Sequence, residues 1–277
     1  MAQQNAVERQ TLGRIKDSQL QELSGLIPSA LYPKMFWVHN DSGDVGRIFL
    51  IDDKAQLKGV YTLEGIQAKD TEDIARFQRE GKSYLVLADI GDNRAIRTDI
   101  KIYIFQEPEW NAEKITYLIP KESIQTLRLK YVDKPRDAEA IFVDPLDGRC
   151  YIITKRDLHV GVYPVSLDKT NSNQTPILKP LVSLPLTFIT AVDISSDGRL
   201  ILLKNLTSVF LWQRRYGESI VSLFNRPYTR LTYQVEPQGE AICFGLDNSA
   251  FYTISERPLG LDSYLYQYNI MPTKNTE

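Results

Sequence analysis

Short runs of β-branched and aromatic residues recur along the chain, each bounded by Gly, Asp, Asn or Pro. Examples are Phe36-Trp37-Val38, Tyr84-Leu85-Val86-Leu87, Ile100-Lys101-Ile102-Tyr103-Ile104-Phe105 and Tyr151-Ile152-Ile153. Leu200-Ile201-Leu202-Leu203, Val209-Phe210-Leu211-Trp212 and Phe251-Tyr252-Thr253-Ile254 continue the series. Runs of this kind predict strands. Beyond the first 25 residues or so, no long stretch repeats apolar residues at helical spacing.

The strands are organised in a repeat. Leu23-Ser24-Gly25-Leu26, Thr71-Glu72-Asp73-Ile74, Ala138-Glu139-Ala140-Ile141, Ala191-Val192-Asp193-Ile194 and Gly239-Glu240-Ala241-Ile242 share one pattern. Three of them lead into turns rich in Asp, Gly or Asn: Asp144-Pro145-Leu146-Asp147-Gly148, Ser195-Ser196-Asp197-Gly198 and Gly245-Leu246-Asp247-Asn248. A fourth uses Arg79-Glu80-Gly81-Lys82, and an apolar second strand follows each turn, so each unit opens as a β-hairpin.

From Ser24 the aligned positions advance by 48, 67, 53 and 48 residues to Glu72, Glu139, Val192 and Glu240. A period near 50 with four strands per unit predicts an all-β fold, a β-propeller of four-stranded antiparallel blades around a central channel. Five blades fill the chain. Six is the alternative, because the 67-residue interval carries extra strand-like sequence from Ile124 to Tyr131. A two-sheet sandwich leaves the recurring hairpin chemistry unexplained. Residues 1–20 are expected to close the ring, with an outer strand around Leu12 to Leu20 joining the last blade; 21–270 form the propeller and 271–277 a tail.

Charge narrows the function. Lys plus Arg number 33 against 35 Asp plus Glu, a net charge of −2. That balance removes the electrostatic case for a general nucleic-acid or membrane-surface binder. No apolar run is long enough to span a bilayer as a helix. The opening Met1-Ala2-Gln3-Gln4-Asn5 has no charged region followed by an apolar one, so no signal peptide is expected, and a cytoplasmic location follows if this start is native. Cys150 and Cys243 sit inside apolar runs and are expected to be buried free thiols. Nothing in the sequence calls for an oligomer, and a monomer is expected.

Candidate chemistry lies where the blades meet the channel. The start of each first strand and the end of each second strand are antiparallel neighbours and converge at one mouth. The first-strand set is Ser24, Glu72, Glu139, Val192 and Glu240; the second-strand set is Asp41, Asp89, Lys155, Asn205 and Glu256. Six of these ten are carboxylates. Crowded like charges need compensation, and oxygen donors without Cys point to Ca²⁺, with Mg²⁺ as the alternative. Glu72, Glu139, Glu240, Asp89 and Asp41 are the candidate metal ligands. The opposing reading is structural: acidic residues at strand ends bond backbone amides, and Asp89-Ile90-Gly91-Asp92-Asn93 is then a tight loop.

Lys155, Lys204 and His39 are the candidate catalytic groups, and Asn40, Asn93, Arg156, Asn205 and Glu256 the candidate ligand contacts. The lysines either bind the anionic part of a small polar ligand or neutralise their acidic neighbours as fixed ion pairs. His39 is either a general base or a hydrogen-bonded strand histidine, and His159 belongs to an exposed turn. Arg94 and Arg97 either reach the mouth or are solvated. The chain has no G-x-S-x-G, G-x-G-x-x-G or P-loop.

The stretches Trp37-Val38-His39-Asn40-Asp41-Ser42-Gly43, Glu72-Asp73-Ile74-Ala75 and Ala88-Asp89-Ile90-Gly91-Asp92-Asn93 resemble an uncharacterised group of bacterial β-propeller proteins. Asp137-Ala138-Glu139-Ala140-Ile141, Ile153-Thr154-Lys155-Arg156, Asp193-Ile194-Ser195-Ser196-Asp197-Gly198 and Pro237-Gln238-Gly239-Glu240-Ala241-Ile242 extend that resemblance from about Glu22 to Glu256. Members of the group are often exported, which implies an exported or periplasmic location. Glu139-Ala140-Ile141 and Gln238-Gly239-Glu240 carry a looser likeness to β-propeller phytases, six-bladed enzymes that hydrolyse phosphomonoesters with calcium. Lys155-Arg156 and Val192 depart from that pattern, where more metal-binding groups are expected.

Two function classes follow. One is a non-catalytic module whose acidic mouth binds a divalent cation or a small polar ligand. The other is a metal-dependent hydrolase of phosphoesters or lactones, in which Lys155 and Lys204 bind the substrate's charge. Propellers host many functions, so the fold does not choose between them.

Overall fold

A computed structural model of the chain describes residues 8–168 and 175–270. Its strands pair into five sheets. The inner strands contact one another around a closed ring, from Leu23–Pro28 to Thr71–Arg79, Ala138–Val143, Ile189–Ile194, Ala241–Phe244 and back. The protein is a five-bladed β-propeller.

The 67-residue interval does not hold a sixth blade. Gln125–Tyr131 is the fourth strand of blade two, antiparallel to Ile100–Gln106. The remaining extra length crosses to blade one, where Thr116–Ile119 runs parallel to Leu57–Leu63 as a fifth strand. In the same way Ile177–Leu178 adds to the edge of blade two beside Gln125–Tyr131. Each addition covers an edge that would otherwise present open hydrogen-bonding groups.

Ring closure uses the amino-terminal segment. Arg9–Arg14 pairs antiparallel with Tyr264–Asn269 as the outer strand of blade five, starting ahead of the expected Leu12–Leu20 stretch. The 271–277 tail lies outside the described residues.

The hairpin turns repeat one device. In blades three, four and five the Asp147, Asp197 and Asp247 side chains each accept the amide two residues on, from Arg149, Arg199 and Ser249, at 2.9 to 3.1 Å. Between acceptor and donor lies Gly148, Gly198 or Asn248, each with φ of +60 to +71°. A left-handed residue is required there, and Gly and Asn adopt it most readily.

Apolar side chains fill the space between blades, with Trp37, Phe49, Phe105, Phe142 and Trp212 fully or nearly fully buried. Cys150 and Cys243 are free and buried, as their apolar strand contexts predict. Buried carboxylates staple blade to blade. Asp73 of blade two accepts the Ile141 amide of blade three at 2.8 Å, and Asp193 of blade four accepts the Phe244 amide of blade five at 2.7 Å.

Candidate metal centre

Four of the inner strands begin with a register shift, which leaves Ser24, Glu72, Glu139 and Thr190 outside the regular ladder. Such a bulge re-aims the side chain of the extra residue. Blade five reaches the same level at Glu240, because Ala241 pairs with Ile254 as Ala140 pairs with Ile153. The fourth member of the set is therefore Thr190. Val192, expected there from the sequence, lies two residues further along and pairs with Leu203.

The second-strand set divides into two registers. Asp89 and Asn205 sit inside the ladder, opposite Thr71 and Ile189. Asp41, Lys155 and Glu256 follow the ends of their strands, and their amides bond the carbonyls of Glu22, Asp137 and Gln238. Only this second group joins the acidic residues of the mouth.

Three carboxylate groups result: Asp41 with Asp70 and Glu72, Asp41 with Glu240 and Glu256, and Glu72 with Asp137 and Glu139. Within each, one carboxylate oxygen per residue lies within 4.8 Å of the others. That spread is about twice a Ca–O distance of roughly 2.3–2.6 Å, so one ion can touch all three oxygens of a group. Asp41 and Glu72 each belong to two groups, so blades one, two, three and five feed one continuous cluster.

Glu72 is the most demanding member. It is 1% exposed, and neither carboxylate oxygen has a hydrogen-bond partner among the described residues. Burial, then Glu139, Asp41 and Asp70, push its carboxyl well above the usual range. Burial and the neighbouring Asp70 and Glu240 raise Asp41 to about 7. Glu256 is raised to about 8 by burial and by Glu240. Burial lifts Glu139 to about 8 against the pull of Lys155. Without a cation, Glu139 and Glu256 favour the protonated form at neutral pH.

Gly91 makes room for this arrangement. A Cβ there would lie 2.0 Å from Glu72 Oε1 and 2.5 Å from the Asp70 carboxylate. The loop that carries Gly91 is pinned by Arg97, which donates to the Gly91 carbonyl at 2.6 Å and reaches Asp89 Oδ1 at 2.8 Å. Arg97 is thus largely buried in a fixed pair rather than solvated. Asp89 is fully buried, and it also accepts the Asp70 amide and the Tyr103 hydroxyl. It stands outside the three carboxylate groups.

The cations are committed as well. Lys155 Nζ lies 2.5 Å from Glu139 Oε2 and 3.7 Å from Glu240 Oε1. Burial works to lower its pKa, but these carboxylates outweigh burial and raise it. Arg156 bonds Asp137 at 2.6 Å and also donates to Asn93. Lys204 is fully buried, bonds the Gly239 carbonyl and lies over the Tyr233 ring. Burial lowers it to about 8, opposed by Glu236 and Glu240.

The remaining candidates are held locally. His39 is fully buried with Nδ1 2.9 Å from the Asn40 carbonyl, and burial lowers it to about 4. Asn40 donates to the Gln19 carbonyl at 2.7 Å and to Asp44 at 3.0 Å, tying the amino-terminal segment to blade one. Asn205 accepts the Thr207 amide in its own turn.

Asp70 and Asp137 were not singled out by the sequence pattern. Both stand two residues ahead of an in-phase glutamate, in Asp70-Thr71-Glu72 and Asp137-Ala138-Glu139, and that spacing is the signal that finds them. Glu236, whose carboxylate faces Lys204 and accepts the Thr253 hydroxyl at 2.6 Å, lies in a loop and carries no such signal. No protein-family model matches the chain, and no curated protein matches it.

Proposed function

We propose that the cluster of Asp41, Asp70, Glu72, Asp137, Glu139, Glu240 and Glu256 binds a divalent cation, Ca²⁺ with Mg²⁺ as the alternative. The protein is then a binding module that offers this cation to a small polar or anionic ligand. The observation that carries the reading is Glu72, a buried carboxylate with no partner for either oxygen. A buried unpaired charge is strongly unfavourable, and a cation bonded to several oxygens removes that cost. The likeness to β-propeller phytases points to the same metal.

Lys155 and Lys204 favour a module over a hydrolase, because both ammonium groups are already engaged, one by Glu139 and the other by the Gly239 carbonyl. Melting the protein with Ca²⁺, Mg²⁺ or EDTA, beside a screen of phosphoesters and lactones, tests the proposal. The expected result is a saturable rise in Tm with Ca²⁺, reversed by EDTA, absent in Glu72→Gln and unaccompanied by turnover. Turnover that disappears in a folded Glu139→Gln variant replaces the module with the hydrolase. Indifference to both metals and to chelator overturns both.

A further inference from the structure

The other mouth of the channel is built differently. Three residues beyond the level of Gly25, Asp73, Ala140, Ala191 and Ala241, the five inner strands present Pro28, Arg76, Val143, Ile194 and Phe244. Four members of this ring are apolar and one is a cation. All five line a single cavity of about 180 Å³. The blade-two hairpin, Thr71–Arg79 with Lys82–Asp89, is longer than the first hairpin of any other blade and continues past Arg76 at this mouth.

Arg76 makes no side-chain hydrogen bond or ion pair among the described residues, and its Nε is buried without a partner. The other charged groups of the cavity are occupied. Asp193 accepts the amides of Ile194 and Phe244 at 2.8 and 2.7 Å. Asp144 receives Arg214 through both oxygens at 2.8 and 2.9 Å. Ser195 donates to Asp197 at 2.6 Å. Arg76 is the one cation lining the cavity and has no hydrogen-bonded counter-charge among the described residues, although the Asp193 carboxylate lies near enough to interact with it. The planar fork of its guanidinium matches a carboxylate.

We infer that this mouth is a second binding site, separate from the acidic one, for a small organic carboxylate whose apolar body fills the ring of Pro28, Val143, Ile194 and Phe244 while Arg76 holds its charge. The cavity is smaller than the roughly 300–1,000 Å³ of drug-sized sites, so the ligand is correspondingly small.

Calorimetric titration of the full chain with benzoate, benzamide and inorganic phosphate, each in EDTA, tests this. Benzoate binds saturably, benzamide and phosphate bind at least tenfold more weakly, and Arg76→Gln weakens benzoate at least tenfold. The comparison of benzoate with benzamide uses the unaltered protein and so decides the matter even if Arg76→Gln fails to fold. Equal binding of benzoate and benzamide, tighter binding of phosphate than of benzoate, or no saturable benzoate binding overturns the inference.

Discussion

Lys155 Nζ sits 2.5 Å from Glu139 Oε2, and this pair divides the acidic mouth into a part that carries its own cation and a part that does not. On the far side of Glu139 the carboxylates of Glu72, Asp41 and Asp70 have no lysine or arginine within ion-pair distance among the described residues. Removing the lysine adds Glu139 and Glu240 to the uncompensated part, and Asp137 keeps its pair with Arg156. In Lys155→Met, the cation-free protein loses about 3–5 kcal/mol, the usual cost of breaking a buried pair. Its Ca²⁺ affinity rises by about tenfold, close to 1.4 kcal/mol, because the ion no longer meets a fixed positive charge. Chemical denaturation in EDTA and calorimetry with Ca²⁺ read the two effects separately.

Glu72→Gln separates folding from binding in the opposite direction. Gln keeps the shape of the side chain and removes its charge from a site crowded by Glu139, Asp41 and Asp70. The cation-free protein at pH 8 gains about 1–2 kcal/mol, within the range for relieving an unsatisfied buried group. The Ca²⁺-dependent rise in Tm disappears. A variant that is less stable in EDTA, or still responds to Ca²⁺, contradicts the part assigned to Glu72.

The ring of glutamates was legible because a bulged strand start recurs with an acidic residue at one step past the turn into the blade. Blade four misled the alignment for a physical reason. Side chains alternate with period two along a strand, so sliding Ala191-Val192-Asp193-Ile194 by two residues keeps every residue on its face and leaves the apolar pattern intact. The second-strand set failed differently: Asp89 and Asn205 are one register away from Asp41, Lys155 and Glu256, and a slip of one residue sends a side chain to the other face. That slip took Asp89 into a pair with Arg97 instead of into the cluster. Asp70 and Asp137 precede their strands, so the apolar strand pattern does not reach them and only their two-residue spacing ahead of Glu72 and Glu139 marks them.

The raised carboxyls give stability a defined pH dependence. Asp41, Glu139 and Glu256 ionise at about 7, 8 and 8 in the folded protein, and near 4 in an unfolded chain. Between those limits the folded state holds more protons than the unfolded state, so stability falls as pH rises. Their contribution is complete below about pH 4 and is lost as pH passes through 7 to 8. In EDTA, Tm is therefore expected to drop from pH 5 to pH 8.5. Ca²⁺ competes with these protons, so its effect on Tm grows over the same range. A Ca²⁺ effect that is constant with pH removes these carboxyls from the site.

Gly91→Ala tests whether the loop is shaped for the cluster. The added Cβ would fall 2.0 Å from Glu72 Oε1, so the carboxylate or the loop must move. Overpacking of this kind costs about 1–3 kcal/mol. The Ca²⁺ affinity falls with it, since Glu72 and Asp70 are displaced together. A destabilised variant with unchanged affinity places the pressure on the loop alone.

Asp89→Asn distinguishes a ligand from a strut. Asp89 is fully buried and faces Arg97 at 2.8 Å, and the Asp70 amide and Tyr103 hydroxyl complete its contacts. The amide leaves the Arg97 guanidinium, itself largely buried, without its counter-charge, which costs about 3–5 kcal/mol when a buried pair is broken. If Asp89 acts only by holding the loop, denaturation in EDTA shows that loss while the Ca²⁺ affinity of the folded variant stays within about twofold of the parent. The double variant Asp89→Asn with Arg97→Met then recovers part of the stability, because no lone charge remains buried. Loss of Ca²⁺ binding in both the single and the double variant would return Asp89 to the cation's own shell.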